Sequence, residues 1–168
     1  MVHIYTGNGK GKTTCALGMI IRALGYDWRV CLIQFMKKDW NYGEIIFLKP
    51  IAGIDIFKYG TEHFVNPDSP TEADIIEAET AWEKSLEALK SDKYQLVVLD
   101  EINVALNMHL ISLEKQLQLM EFADKTELVM TGRNADQQVI DKADLVTEMV
   151  QVKHYYQKGL LSRKGIEF

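Results

Sequence analysis

Lys12 and Thr13 close a glycine-rich run near the start of the chain, Thr6-Gly7-Asn8-Gly9-Lys10-Gly11-Lys12-Thr13-Thr14. Glycines at this density let successive backbone N–H groups turn inward and form a nest for an anion. A helix opening at the end of the run aims its orphan N–H groups and positive dipole end at the same anion. The Lys12 ammonium can then reach terminal phosphates, and the Thr13 hydroxyl can ligate Mg²⁺. Gly7, Asn8, Gly9, Lys10, Gly11, Lys12, Thr13 and Thr14 are therefore candidate triphosphate contacts. The common loop reads Gly-x-x-x-x-Gly-Lys-Ser/Thr. Here Thr6 stands where its first glycine would fall.

The second chemical feature is Val97-Val98-Leu99-Asp100-Glu101, an apolar strand pattern ending in two carboxylates. In phosphate-loop proteins such a strand supplies the acid that holds Mg²⁺, directly or through water. Spacing alone does not choose between Asp100 and Glu101. An Asn-Lys-x-Asp guanine reader is absent, which favours ATP over GTP. Cys15 and Cys31 lie in apolar runs without metal-ligand spacing and read as buried thiols in a reducing compartment.

These groups need elements to hold them. Val2–Thr6 reads as a strand, and Thr13–Leu24 as a helix apolar nearly all round, hence buried, with Gly25 at its end. Further strands are expected at 29–35, 54–59, 95–99, 127–131 and 145–152. The segment 37–44 reads as a loop, and Gly60–Asp68 as a long one. Ser69-Pro70-Thr71-Glu72 starts a helix reaching about Leu89, with Ser69 as cap and Glu72 closing a capping box. Helical patterns also cover about 112–123 and 135–142, and the tail from His154 to Phe168 shows no clear period. Strands alternating with helices predict an α/β fold with a mostly parallel central sheet and helices on both faces; taken with the phosphate loop, the expectation is a three-layer P-loop NTPase (RecA-like) fold. The chain reads as a single nucleotide-binding domain over 1–168. Ligands of such sheets sit at the carboxyl ends of the strands, where Gly7–Thr13, Gln34–Glu44, Asp100-Glu101 and Thr131–Asn134 fall.

The formal net charge of −5 argues against a nucleic-acid partner, because phosphate neutralisation needs clustered Lys and Arg. No apolar run reaches spanning length and no signal peptide precedes the first strand, so a cytoplasmic protein without a membrane partner is expected.

Several stretches resemble the ATP:corrinoid adenosyltransferases of the P-loop type, over nearly the whole chain. The run from Thr6 to Thr14 matches that family's loop, including its glycine placement. Leu99-Asp100-Glu101 matches its acidic strand, and Gln34-Phe35-Met36-Lys37 through Trp40 and Gly43-Glu44 its loop after the second strand. Thr131-Gly132-Arg133, Ala143-Asp144-Leu145-Val146-Thr147-Glu148, Val152-Lys153-His154 and Gly165-Ile166-Glu167-Phe168 match its C-terminal set in order and spacing. The resemblance implies transfer of the 5′-deoxyadenosyl group of ATP to the cobalt(I) of a reduced corrinoid, with release of triphosphate. It implies catalytic roles for Lys12, Thr13 and Glu101, with Thr13 and Glu101 as the metal partners. It adds Arg22 as an ATP contact, and Trp40 and Phe64 as corrinoid contacts that displace the lower cobalt ligand. The family loop often reads Gly-Phe-x-Trp, and the segment 60–66 here carries no Trp. An electron-donating reductase or flavoprotein and a homodimer are also implied. The alternatives are a P-loop kinase or ATPase sharing only the nucleotide half, and a nucleotide-dependent binding module without chemistry.

Overall fold

The computed structural model describes residues 1–38 and 42–168. Five strands were expected to share one sheet with the loop-bearing strand, and they do. The six strands are β1 (Val2–Thr6), which bears the loop, β2 (Val30–Gln34), β3 (Ile54–Lys58), β4 (Leu96–Asp100), β5 (Glu127–Thr131) and β6 (Leu145–Glu148). Their order is β3-β2-β4-β5-β1-β6, and every pairing is parallel. Parallel neighbours need crossovers, which the helices provide: α1 (Lys12–Leu24), α2 (Gly43–Leu48), α3 (Glu72–Lys90), α4 (Ile102–Asn107), α5 (Leu113–Glu121) and α6 (Gln137–Lys142).

Side-chain alternation divides the apolar strands between two cores. Cys31, Ile33, Val97 and Leu99 face one side and pack with Ala78, Ala81, Leu119 and Val139 of α3, α5 and α6. Val30, Leu32, Leu96 and Val98 face the other and pack with Ala16, Ile20, Ala23 and Ile45 of α1 and α2. The result is three layers, as the sequence predicts. Strands β2 and β4 are buried along their whole length, which is why their runs are unbrokenly apolar. The edge strand β6 is exposed throughout.

Local readings differ in four places. Helix α1 is not buried all round: Ile21 is 57% exposed, because the helix meets the sheet on one side only. The cap of α3 is Thr71 rather than Ser69. Its hydroxyl accepts from the Asp74 N–H, and the Asp74 carboxylate accepts from the Thr71 N–H, which closes the box two residues later than expected. Helix α2 starts at Gly43, inside the expected 37–44 loop, and α4 follows the acidic pair directly. Cys31 is buried, and burial followed by Asp55 pushes its thiol up to about 12; Cys15 is half-buried and both are free. Among the described residues no helix is long and apolar enough to cross a membrane.

Candidate active site

Strand β1 ends at Thr6, the chain turns through 7–11, and α1 begins at Lys12. Gly7 (φ 90°) and Gly11 (φ 121°) take backbone conformations that L side chains avoid. Gly9 is required by close approach instead. A Cβ there would lie 2.7 Å from the Met149 carbonyl oxygen, to which the Gly9 N–H donates at 2.6 Å. The segment after β6 is thus laid directly on the loop.

Lys12 is buried and donates to the Gly7 and Gly9 carbonyls at 2.7 and 2.8 Å. Burial, followed by the nearby Arg133 charge, holds its pKa below the ordinary lysine value, while Glu101 opposes the shift. Lys10 points elsewhere. Its ammonium donates to the Tyr155 hydroxyl at 2.8 Å, the Ile166 carbonyl at 3.0 Å and Glu167 Oε1 at 2.7 Å. Glu167 also accepts from Tyr155 and Arg163, and these donors, Lys10 first, hold its carboxyl far below the usual range. Lys10 therefore fastens the C-terminal tail across the loop.

The two strand-end acids occupy different environments. Asp100 is 1% exposed and accepts four hydrogen bonds. Thr13 Oγ1 (2.9 Å) and Thr131 Oγ1 (2.7 Å) donate to its Oδ1, while Gln34 Nε2 (3.1 Å) and Lys37 Nζ (2.7 Å) donate to its Oδ2. A carboxylate has about four acceptor positions, so these donors saturate it. Burial alone would raise its pKa, but the Lys37 charge and the converging donors hold it below the ordinary aspartate value. Glu101 follows in a left-handed conformation, φ 66°, with its N–H donating to Thr131 Oγ1 at 3.0 Å. Among the described residues no donor bonds to its carboxylate. Burial, then the Asp100 charge, raises its pKa above the ordinary glutamate value. The left-handed residue turns the chain from β4 into α4 and sets the two carboxylates in different surroundings.

Thr13, Thr14, Lys37 and Glu101 line a cavity of about 520 Å³ together with Tyr42, Glu167 and Phe168. A divalent cation fits the donor set. Thr13 and Glu101 offer hard oxygen atoms, and the buried Gln34 Oε1 has no hydrogen-bond partner among the described residues. The described residues contain no cluster of three or more His, Cys, Asp or Glu able to hold a metal. Mg²⁺ bound with substrate phosphates needs only one or two carboxylates.

A sequence profile of the ATP:corrinoid adenosyltransferase BtuR/CobO/CobP family matches residues 1–168. The chain belongs to that family. It is 36% identical over 166 residues to a corrinoid adenosyltransferase of Pseudomonas aeruginosa, covering 98% of this chain and 82% of the relative. It is 35% identical over 172 residues to one of Sinorhizobium sp, covering 100% and 80%. Against the corrinoid adenosyltransferase CobA of Salmonella typhimurium the identity is 31% over 169 residues, covering 100% and 85%.

The other expected contacts are dispersed. Arg22 sits in the last turn of α1, at the end away from the loop, in a separate groove with Met19, Tyr26 and Trp28. Phe64 is fully exposed on its loop, which is tied to α3 by Thr61 Oγ1 donating to Asp74 at 2.6 Å. It does not line the Thr13–Glu101 cavity. Trp40 lies outside the described residues. Sequence reasoning did not foresee the saturation of Asp100 by Gln34, Lys37 and Thr131, nor the Lys10 clasp. A polar residue closing an otherwise apolar strand, as in Gln34 and Thr131, was the available signal.

Proposed function

We propose that the chain transfers the 5′-deoxyadenosyl group of ATP to the cobalt(I) of a reduced corrinoid, in adenosylcobalamin biosynthesis or salvage. Cobalt(I) contributes the electron pair of the new Co–C5′ bond. The C5′–O bond breaks, and triphosphate leaves with that bond's electrons. The nucleophile has no proton to lose, so the site needs no general base. What it must supply is position and stabilisation of leaving-group charge.

The observation that carries this reading is the separation of the two acids. Asp100 is saturated by protein donors and fixes Thr13, while the Glu101 carboxylate keeps its acceptor positions beside the same cavity. Lys12 and the loop amides bind the triphosphate. Thr13 and Glu101 hold Mg²⁺, which supplies charge neutralisation at the phosphates. Phe64, wholly exposed, and Trp40 serve the corrinoid, whose lower axial ligand they displace. Gly7, Asn8, Gly9, Gly11 and Thr14 complete the nucleotide contacts, with Lys10 holding the tail wall. Arg22 contributes to nucleotide binding, and the active unit is a homodimer. The whole of 1–168 acts as one cytoplasmic domain served by an electron-donating reductase or flavoprotein.

The test mixes the protein anaerobically with MgATP and chemically reduced corrinoid. A light-sensitive alkyl-corrinoid spectrum with triphosphate released is expected. ADP appearing without that species would overturn the reading in favour of phosphoryl transfer.

A further inference from the structure

Lys37 has no role in the function just described, yet it is the charged partner of the most buried acid in the site. Its side chain is 18% exposed, and its ammonium stands 2.7 Å from Asp100 Oδ2. Burial works against the charge of Lys37, but Asp100 outweighs it and raises the pKa, so the group is a fixed cation at neutral pH. It also lines the cavity shared by Thr13 and Glu101.

The backbone beneath it is pinned. The Lys37 N–H donates to the Tyr59 carbonyl at 2.8 Å, and a Cβ on Gly60 would lie 2.7 Å from the Met36 carbonyl carbon. Motion at this position is therefore confined to the flexible stem of the side chain, which carries three donors on a rotatable end. A divalent cation entering the cavity lined by Thr13, Lys37 and Glu101 would meet the ammonium as a like charge. Both cations compete for one carboxylate.

We propose that Lys37 is a displaceable counter-ion: it gives up Asp100 to the divalent cation and turns to the triphosphate, so that metal and nucleotide bind together and leave the free metal excluded. This rests on the adenosyl-transfer reading, since it assigns the released ammonium to that reaction's leaving group. Lys37 then stands with Lys12 as a second cation on the departing triphosphate. The exchange needs no change in backbone, only a new acceptor for one ammonium.

The test measures Mn²⁺ binding by electron paramagnetic resonance, with and without ATP and without corrinoid, so no turnover enters the readout. In Lys37→Met, Mn²⁺ alone is expected to bind at least about tenfold more tightly, because its competitor is gone. Mn²⁺ with ATP is expected to bind at least about tenfold more weakly, because a phosphate contact is lost. Opposite signs are the mark of displacement, whereas damage to the fold weakens both. Lys37→Gln keeps a donor for Asp100 without the charge and is expected to follow Lys37→Met in both directions, which covers failure of the methionine variant to fold. Two affinities moving the same way, or neither moving, in whichever variant folds would overturn the role of Lys37. If the wild type still forms adenosylcorrinoid in that case, the adenosyl-transfer reading stands without it. Wild-type protein that binds no Mn²⁺ with ATP overturns both.

Discussion

Replacing Asp100 with Asn removes one negative charge and one acceptor atom from a site where four donors converge. The amide has two orientations. With its NH₂ toward Thr13 and Thr131, the hydroxyls can turn and accept, although Thr131 already accepts from the Glu101 N–H. With its NH₂ toward Gln34, the Gln34 amide can flip and use its otherwise unpartnered Oε1. The neutral hydrogen bonds are therefore largely recoverable, and the loss falls on Lys37, left without its counter-ion at 18% side-chain exposure. Stranding one member of a buried pair costs about 3–5 kcal/mol. Partial access of Lys37 to solvent sets the expectation at the low end, about 3 kcal/mol, measured by urea unfolding at pH 7. Lys37→Met strands the carboxylate instead, and the double variant strands neither. The double is expected to fall short of the summed singles by about 2 kcal/mol. Additive losses would show that the two groups do not stabilise each other, and would refute the account of Asp100 as a charge held by Lys37.

Gly9→Ala sets a Cβ within 2.9 Å of three backbone atoms of Met149 and Val150. It is expected to cost about 1–3 kcal/mol in urea unfolding and to weaken ATP binding in calorimetry. Gly18→Ala is the control: a Cβ there meets nothing within 4 Å, so the α1 interior should gain about 0.5–1 kcal/mol in the same unfolding assay. Glu101→Gly relieves a left-handed residue, φ 66°. Stability measured by thermal unfolding should hold or rise by up to about 1 kcal/mol, while adenosyl transfer should drop at least about a hundredfold; retained activity would remove Glu101 from the site. Burial opposes ionisation of Asp74, but Thr61, Thr71 and His63 overcome it and hold the carboxyl well below its unfolded value near 3.9. The sign follows: this stabilisation is complete above about pH 4–5 and is lost as pH falls through the folded pKa. Asp74→Asn should narrow its deficit against the wild type below pH 4 in urea midpoints, and a constant gap would contradict the shift.

The strands were legible because parallel, doubly covered strands write themselves as unbroken apolar runs. Val2–Thr6 and Glu127–Thr131 have the limits read from the sequence. The α1 surface was misread because Ile21 and Met19 carry no sign of which face lacks a cover. Helices α2 and α4 are too short to show a period: each is six residues long, and α4 owes its start to the backbone of Glu101 rather than to a capping side chain. The α3 cap was displaced by a tertiary competitor, since Asp74 serves Thr61 as well as Thr71. In the site, the loop and the acids were visible as local motifs. The Asp100 hub was not, because Thr13, Gln34, Lys37 and Thr131 come from four separate segments and share nothing but the carboxyl edge of the sheet.

That hub gives the two adjacent acids at one strand end different surroundings. Before a metal enters, Asp100 is an anion whose charge is matched by Lys37, and Glu101 is the acid with acceptor positions still open. Lys12 and Glu101 then balance as well, so these four side chains sum to no net charge. The positive field that first meets a triphosphate, before Lys37 is released, comes from the loop amides and the amino end of α1. Such dipoles are fixed by the fold and need no reorganisation as charge builds on the leaving oxygen. A reaction whose nucleophile brings its own electrons requires little else from the protein. The weight falls instead on the precision of the loop, which the Met149 carbonyl and the Lys10 clasp hold from outside.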